Sequence, residues 1–379
     1  MGSVTIPVMR PKLAECRAIS VYLKRIDESR YYSNRGPLVH AFEERLADHL
    51  GVTPDCVTTV SSATAGLVLA LMAVTGERGG SCVLPSWTFE AGPASVRCSG
   101  LAPHFADIDA ATWSLSRDDV LGVLDRAGDN VRAMMFVPPF GAPADVAGWQ
   151  DLSRSAGVPL VIDAAGGFDS VRIVEAPTVI SLHATKVLGC GEGGMVVSSD
   201  GELISHLRHL SNFGFSGNRT IRSAGLNAKM SEYAAAVGLA ELDLWQAKRA
   251  RFMAVKMRYI ERLAEHPLIK LPPGSEADWV TSTFNVKLPG ATAAGLMAHL
   301  RDDGIESRVW WARGCHRQPA FRDCEKTRLR TTELFADSVV GLPFYTDLPA
   351  RDIDSVCDSM FRFLEDHLDQ SRHSAGALT

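Results

Sequence analysis

The chain has 379 residues, 46% of them hydrophobic and 22% charged, a composition that excludes wholesale disorder and leaves room for two domains of ~100–200 residues each. Its 39 Lys and Arg against 44 Asp and Glu give a net charge of −5, so bulk charge recruits neither nucleic acid nor an anionic membrane. Eight cysteines stand singly without a CxxC pair, and no stretch approaches ~18 uninterrupted apolar residues. The expectation is a cytoplasmic protein with no secretory signal, no membrane span and no metal site.

From about residue 56 to 200, short apolar runs alternate with helical segments. The runs are 56–60, 82–85, 104–107, 133–138, 159–163, 179–183 and 195–198, and helical patterns fill 62–74, 116–124 and 145–156. That alternation predicts an α/β layered domain with a largely parallel sheet, whose strands read as continuous apolar runs because both faces are covered. Residues 229–263 carry apolar positions at helical spacing and predict one or two long helices. A loop with Pro272, Pro273 and Gly274 follows. Then come a predicted strand over 281–288, a helix over 292–302 with Thr292 as N-cap, a strand over 306–311, and a closing helix near 352–364. These form a smaller α/β unit, and residues 370–379 are expected to fray.

Four segments in the first unit could carry chemistry. Lys186 follows an apolar run and precedes the glycine cluster GCGEGG, whose glycines allow close backbone approach to a ligand. It is either a surface lysine beside a turn or a desolvated amine able to form a Schiff base. The cluster lacks the GxGxxG spacing of a dinucleotide loop and leads into a strand. Asp163 ends an apolar strand, where open α/β sheets bind ligands, but Asp there also serves as a helix cap. Ser61, Ser62 and Thr64 open a helix whose free N–H groups suit either a phosphate or an ordinary cap. Trp87 and Phe89 offer either a stacking platform or core packing.

In order and spacing these segments resemble the fold-type I pyridoxal-phosphate (PLP) enzymes, and within them the DegT/DnrJ/EryC1/StrS sugar aminotransferases. The similarity runs through SNRGPLVHAFEERLADHLGV, VSSATAGLVLAL, PSWTFEAGPAS, FADIDAATWSL, VIDAA, SLHATKVLGCGEGGMVVSSD, GLNAKMSEYAAAVGLAEL, HRQPAF and VVGLPFY. The resemblance implies an N-terminal segment over 1–30, a large PLP-binding domain over 31–250 with a mostly parallel sheet between helices, and a small C-terminal α/β domain over 251–379. It implies that Lys186 holds the cofactor covalently and then shuttles protons, and that Asp163 pairs with the pyridine nitrogen. By the same resemblance Phe89 stacks on the ring, with Trp87 close by. Ala63, Thr64 and Ser181 meet the phosphate, and Asn227 reaches the phosphate of a neighbouring subunit, so a homodimer with shared sites is implied.

Two positions depart from the family pattern. Gly166 replaces the usual Gln or His three residues after the Asp, and Ala63 replaces a Gly. Lys186 is intact, whereas a dehydratase branch has His there, so transamination is favoured. The implied acceptor is a nucleotide-linked keto-sugar and the implied donor is glutamate. His183, Trp310, Arg313 and His316 are candidate substrate residues, with Trp311 beside them, and Arg219, Arg222 and Arg308 are candidates for diphosphate or carboxylate. His206 and His209, at i and i+3, are read as solvated surface. A PLP-binding protein with a regulatory role, and a nucleotide-binding oxidoreductase using GCGEGG, are the alternatives.

Overall fold

The computed structural model describes residues 6–376 apart from 77–78, 216–219, 222, 265 and 291, with side chains described as far as 366. Two helices, α1 (Cys16–Ser29) and α2 (Pro37–Leu50), precede an alternating array. The array runs β1 (Val57–Val60), α3 (Ala63–Thr75), β2 (Ser81–Pro85), α4 (Ala91–Cys98), β3 (Ala102–Ala106), α5 (Arg117–Ala127) and β4 (Val131–Phe136). It continues with α6 (Val146–Ala156), β5 (Leu160–Asp163), β6 (Thr178–Ser181), β7 (Gly194–Val197) and α7 (Gly201–Leu210). After it come α8 (Glu232–Asp243), α9 (Trp245–Leu263), β8 (Phe284–Lys287), α10 (Ala293–Asp302), β9 (Glu325–Lys326), α11 (Arg330–Ala336), β10 (Val339–Leu342) and α12 (Ala350–Gly376).

The large sheet has the order β1-β7-β6-β5-β4-β2-β3-β9. Only β7 runs antiparallel to its neighbours, β1 and β6. Successive residues of each central strand bury themselves on opposite faces. Met134 and Phe136, Leu160 and Ile162, and Ile180 belong to one core, whereas Ala133 and Met135, Val161, and Val179 belong to the other. Two buried faces explain why these strands read as unbroken apolar runs.

This topology gathers the chemistry-bearing motifs at one edge. Strands β1, β2, β5 and β6 share a direction, so the segments that follow Val60, Pro85, Asp163 and Ser181 emerge together at their C-terminal ends. The reversed β7 begins at that same edge, which brings in the glycine cluster before Gly194. A Cβ on Gly194 would lie 2.6 Å from the Ala63 nitrogen, so only glycine lets β7 pass this close to the start of α3.

The second sheet pairs β8 with β10 in antiparallel fashion. Helix α9 is tied to α12 by Arg258–Asp354 and Arg262–Asp358 ion pairs. The N-terminal residues strap onto this unit: Ile6 pairs with Ile305, and the Phe344 amide donates to the Val8 carbonyl. In the other direction, Glu325–Lys326 add a short parallel strand to β3 of the large sheet.

Several expected local features differ. Residues 306–311 form no strand; they make one bridge, Arg308 to Gly341, before the chain turns at Trp310–Ala312 with Ala312 at φ 44°. Thr292 precedes α10 but does not cap it, because its hydroxyl donates back to the Pro289 carbonyl at 3.0 Å. The chain over 229–263 forms two helices, α8 and α9, meeting at Leu244, as the expectation of one or two long helices allows. Helix α12 continues to Gly376, through most of the span expected to fray; residues 377–379 lie outside the described residues. Among the described residues no helix is long and apolar enough to cross a membrane.

Candidate active site

A cavity of about 370 Å³ opens at the C-terminal strand edge. Lys186, Asp163, Ser181, Thr64, Ala63 and Phe89 all line it. Asp163 is the last residue of β5 and is 5% exposed. Burial pushes its carboxyl up to about 6, against the opposing pull of the Ala165 amide and the Lys186 charge. Lys186 retains partial exposure, yet burial still lowers its ammonium below the ordinary lysine value, with Asp163 partly offsetting this. Its backbone is fixed by a 2.9 Å bond from the Lys186 amide to the His183 carbonyl. The cavity therefore contains an amine less basic than usual facing a carboxyl held near neutrality.

The opposite wall is the first turn of α3. Ser62 caps this helix by accepting the Ala65 amide at 3.1 Å, and Ser62, Ala63 and Thr64 all face the cavity. Free N–H groups, the positive helix end and the Ser181 hydroxyl converge there, the donor set a phosphate requires. Thr88 adds a hydroxyl that is buried, lines the cavity and makes no hydrogen bond. Phe89, 57% exposed, presents a free aromatic face. Together, a desolvated amine, a buried carboxyl, an anion cradle and an uncovered ring suit PLP, with its aldehyde, pyridine nitrogen, phosphate and flat ring. PLP is an electron sink that stabilises a carbanion at the substrate carbon.

Other expected residues fall elsewhere. Trp87 is 2% exposed and packs edge-on against Trp113, Phe140, Trp311 and Phe335, so it is core and not part of a ring platform. His316 does not reach the cavity: its Nδ1 lies 2.7 Å from the Ser86 hydroxyl and its Nε2 3.7 Å from the exposed Glu333, a latch at the end of β2. Burial holds that imidazole below its ordinary value. Arg313 is exposed and away from the cavity, whereas Trp310 lines it with Arg308 stacked 5.0 Å from its ring. Asn227 is exposed outside its own chain's cavity, bonded by Lys229 at 2.7 Å, and the next residue, Ala228, accepts the Ser61 amide. Arg219 and Arg222 lie outside the described residues.

Position 166 has a structural explanation. A Cβ there would come within 3.3 Å of the Gly141 nitrogen and of the Phe140 carbonyl carbon and oxygen. The turn at 139–141, with Phe140 at φ 53° and Gly141 at φ 82°, packs closely against position 166, which also lines the cavity. Sequence reasoning missed Met9, Thr281, Ser282, Thr283 and Glu192, which also line the cavity. Thr281 anchors its loop by donating to the Phe140 carbonyl at 2.7 Å. The run of three hydroxyl residues just before an apolar strand was the available signal for that loop. Met9 arrives only through the strap and carried none. GCGEGG turns straight into β7, so it offers no helix start to a dinucleotide.

The chain is similar to known aminotransferases along most of its length. The solved structure of DesI in the presence of its TDP-sugar product is 31% identical, with a TM-score of 0.86 covering 98% of this chain and 96% of that one. The dTDP-4-amino-4,6-dideoxy-D-glucose transaminase of Escherichia coli is 27% identical over 92% of this chain and 96% of its own length. The dTDP-4-dehydro-2,3,6-trideoxy-D-glucose 4-aminotransferase of Saccharopolyspora spinosa is 27% identical over 88% and 91% respectively. The profile of the DegT/DnrJ/EryC1/StrS aminotransferase family matches residues 15–361. The chain belongs to that family and is a PLP-dependent aminotransferase.

Proposed function

We propose that this enzyme moves an amino group from glutamate to a nucleotide-linked keto-sugar, with a dTDP-linked 4-keto-6-deoxyhexose as the leading acceptor. The observation that carries the reading is the meeting of Lys186 and Asp163 in one cavity with the start of α3. The E. coli and S. spinosa relatives, both named for dTDP-sugar amination, support the acceptor class. The apolar side of the cavity, with Phe89, Val137, Phe140 and Trp310, suits a deoxygenated sugar face.

The residue roles follow from their chemistry. Lys186 would hold PLP covalently, and its weakly basic Nζ, once freed, would carry a proton between the substrate carbon and the cofactor. Asp163 would pair in its ionised form with the pyridine nitrogen of bound PLP and keep that nitrogen protonated. Ser62, Thr64 and Ser181 hydroxyls and the first amides of α3 bind the phosphate, and Phe89 covers the ring. Asn227, exposed and outside its own cavity, serves the phosphate site of a second copy. The exposed Tyr32, Tyr233, Phe213 and Leu226 on neighbouring segments support a covered face in a homodimer. Eight free cysteines support a cytoplasmic location.

The test is a two-step assay of the PLP-loaded enzyme. Glutamate should convert bound PLP to its amine form, seen as loss of the visible band, and dTDP-4-keto-6-deoxyglucose should restore it with formation of an amino-sugar. Failure of glutamate to convert the cofactor would overturn the donor. Failure of every dTDP, UDP, GDP and CDP keto-sugar to restore it would overturn the acceptor class.

A further inference from the structure

Apart from Lys186 and Asp163, the titratable side chains among the described residues lining the cavity are His183 and Glu192. They face each other across a tight backbone frame. The Leu182 amide donates to the Gly193 carbonyl, the Cys190 amide to the Leu182 carbonyl, and the Ala184 amide to the Gly191 carbonyl, all at 2.7–3.0 Å. His183 Nε2 lies 3.6 Å from Glu192 Oε1, with the two side chains 43% and 74% exposed. The other end of the frame is continuous with the reacting amine, since the His183 carbonyl accepts the Lys186 amide.

The hydrogen bonds of the imidazole define its tautomer. Nδ1 accepts the Thr185 backbone N–H at 3.2 Å and lies 2.8 Å from the Thr185 hydroxyl. A nitrogen that accepts an amide proton carries none of its own, so in the neutral ring the proton sits on Nε2 and points toward Glu192. A fixed donor and a carboxylate acceptor 3.6 Å apart do not close on each other as a hydrogen bond. One oxygen atom can, however, lie ~2.8 Å from both. The group that satisfies both is one that accepts through its oxygen and donates its own hydrogen. An anion meets repulsion from Glu192, and a cation finds a donor in its path, so the match is a neutral hydroxyl.

We propose that His183 and Glu192 form a clamp for one hydroxyl of the acceptor sugar, on the carbon next to the carbonyl, and that this clamp sets substrate specificity. The inference rests on the nucleotide-sugar reading above. The sugar hydroxyl accepts from His183 Nε2–H and donates to Glu192 Oε1; no covalent step is involved. A site built to pair with a hydroxyl rejects an analogue that lacks it more strongly than an apolar pocket does, because the site's own polar groups then go unpaired.

The two probes are dTDP-4-keto-6-deoxyglucose, which carries a hydroxyl beside the carbonyl, and dTDP-4-keto-2,3,6-trideoxyglucose, which does not. Enzyme converted to its amine form by glutamate and freed of donor is mixed with each sugar, and affinity is read from how the return of the visible band depends on sugar concentration, a band that also confirms a loaded site in each variant. The wild type should bind the hydroxylated sugar at least ~10-fold tighter. His183→Ala and Glu192→Ala should each remove that preference while leaving the trideoxy sugar unchanged, and the double variant should lose no more than either single one. His183→Gln, which keeps a donor, should recover part of it. Equal affinity of the wild type for the two sugars, or variants that weaken both alike, would overturn the clamp and leave the acceptor class standing. Binding of neither sugar would overturn the dTDP-keto-sugar reading and the clamp with it.

Discussion

Replacing Asp163 with Asn is expected to stabilise the cofactor-free protein above pH 6. The carboxyl is buried, and burial raises it from 3.8 to about 6 despite the nearby Ala165 amide and Lys186. The native state therefore holds this proton more tightly than the unfolded chain does. Its favourable contribution is complete below pH 3.8 and is lost as pH rises through about 6, leaving a charge that is costly to bury. The rise corresponds to ~3 kcal/mol. For a chain of this length that is roughly 4 °C in the unfolding midpoint. The Asp163→Asn side chain retains an oxygen for the Ala165 amide, which Asp163 accepts at 3.2 Å, and carries no charge. Thermal unfolding of wild type and variant without PLP, from pH 3.5 to 8 at one protein concentration, should show the variant ahead at pH 8 and the curves converging as pH falls below 4. With PLP bound the order should reverse, because the ionised carboxylate then has a partner. A difference that stays constant across this pH range would refute the reasoning.

Three further substitutions separate stability from cofactor binding. Ser62→Ala removes the cap on α3 and the phosphate donor proposed above, so it should cost about 1 kcal/mol in urea unfolding of the cofactor-free protein and also weaken PLP retention on dialysis. Phe89→Ala truncates a ring that is 57% exposed, so its unfolding midpoint should change by less than about 0.5 kcal/mol while PLP dissociates faster. Gly166→Gln restores the common family residue but presses it against Phe140 and Gly141. It should destabilise by about 1–3 kcal/mol without tightening PLP binding, measured by the same two assays.

The central strands were legible because both of their faces are buried, so apolar residues run without interruption through 133–136 and 160–162. Lys186, Asp163 and the start of α3 were legible because each sits at a fixed chain distance from such a strand. Residues brought in from remote segments were not. Met9 depends on the pairing of Ile6 with Ile305, and Thr281 on a loop whose position is set by Phe140. Aromatic and cationic residues misled for a related reason. Trp87 and His316 have the chemistry of a binding site, yet the first fills an aromatic cluster with Phe140 and Trp311 and the second closes a latch on Ser86. Residue type alone does not distinguish a side chain that meets a ligand from one that meets its own fold.

The account depends most on a covalent link between Lys186 and PLP. Borohydride reduction of the loaded protein, followed by proteolysis and mass spectrometry, traps that link at the residue that forms it. The account predicts a phosphopyridoxyl group on the peptide containing Lys186 and on no other. A label on a different lysine, or no label on a protein that retains the cofactor, would contradict it.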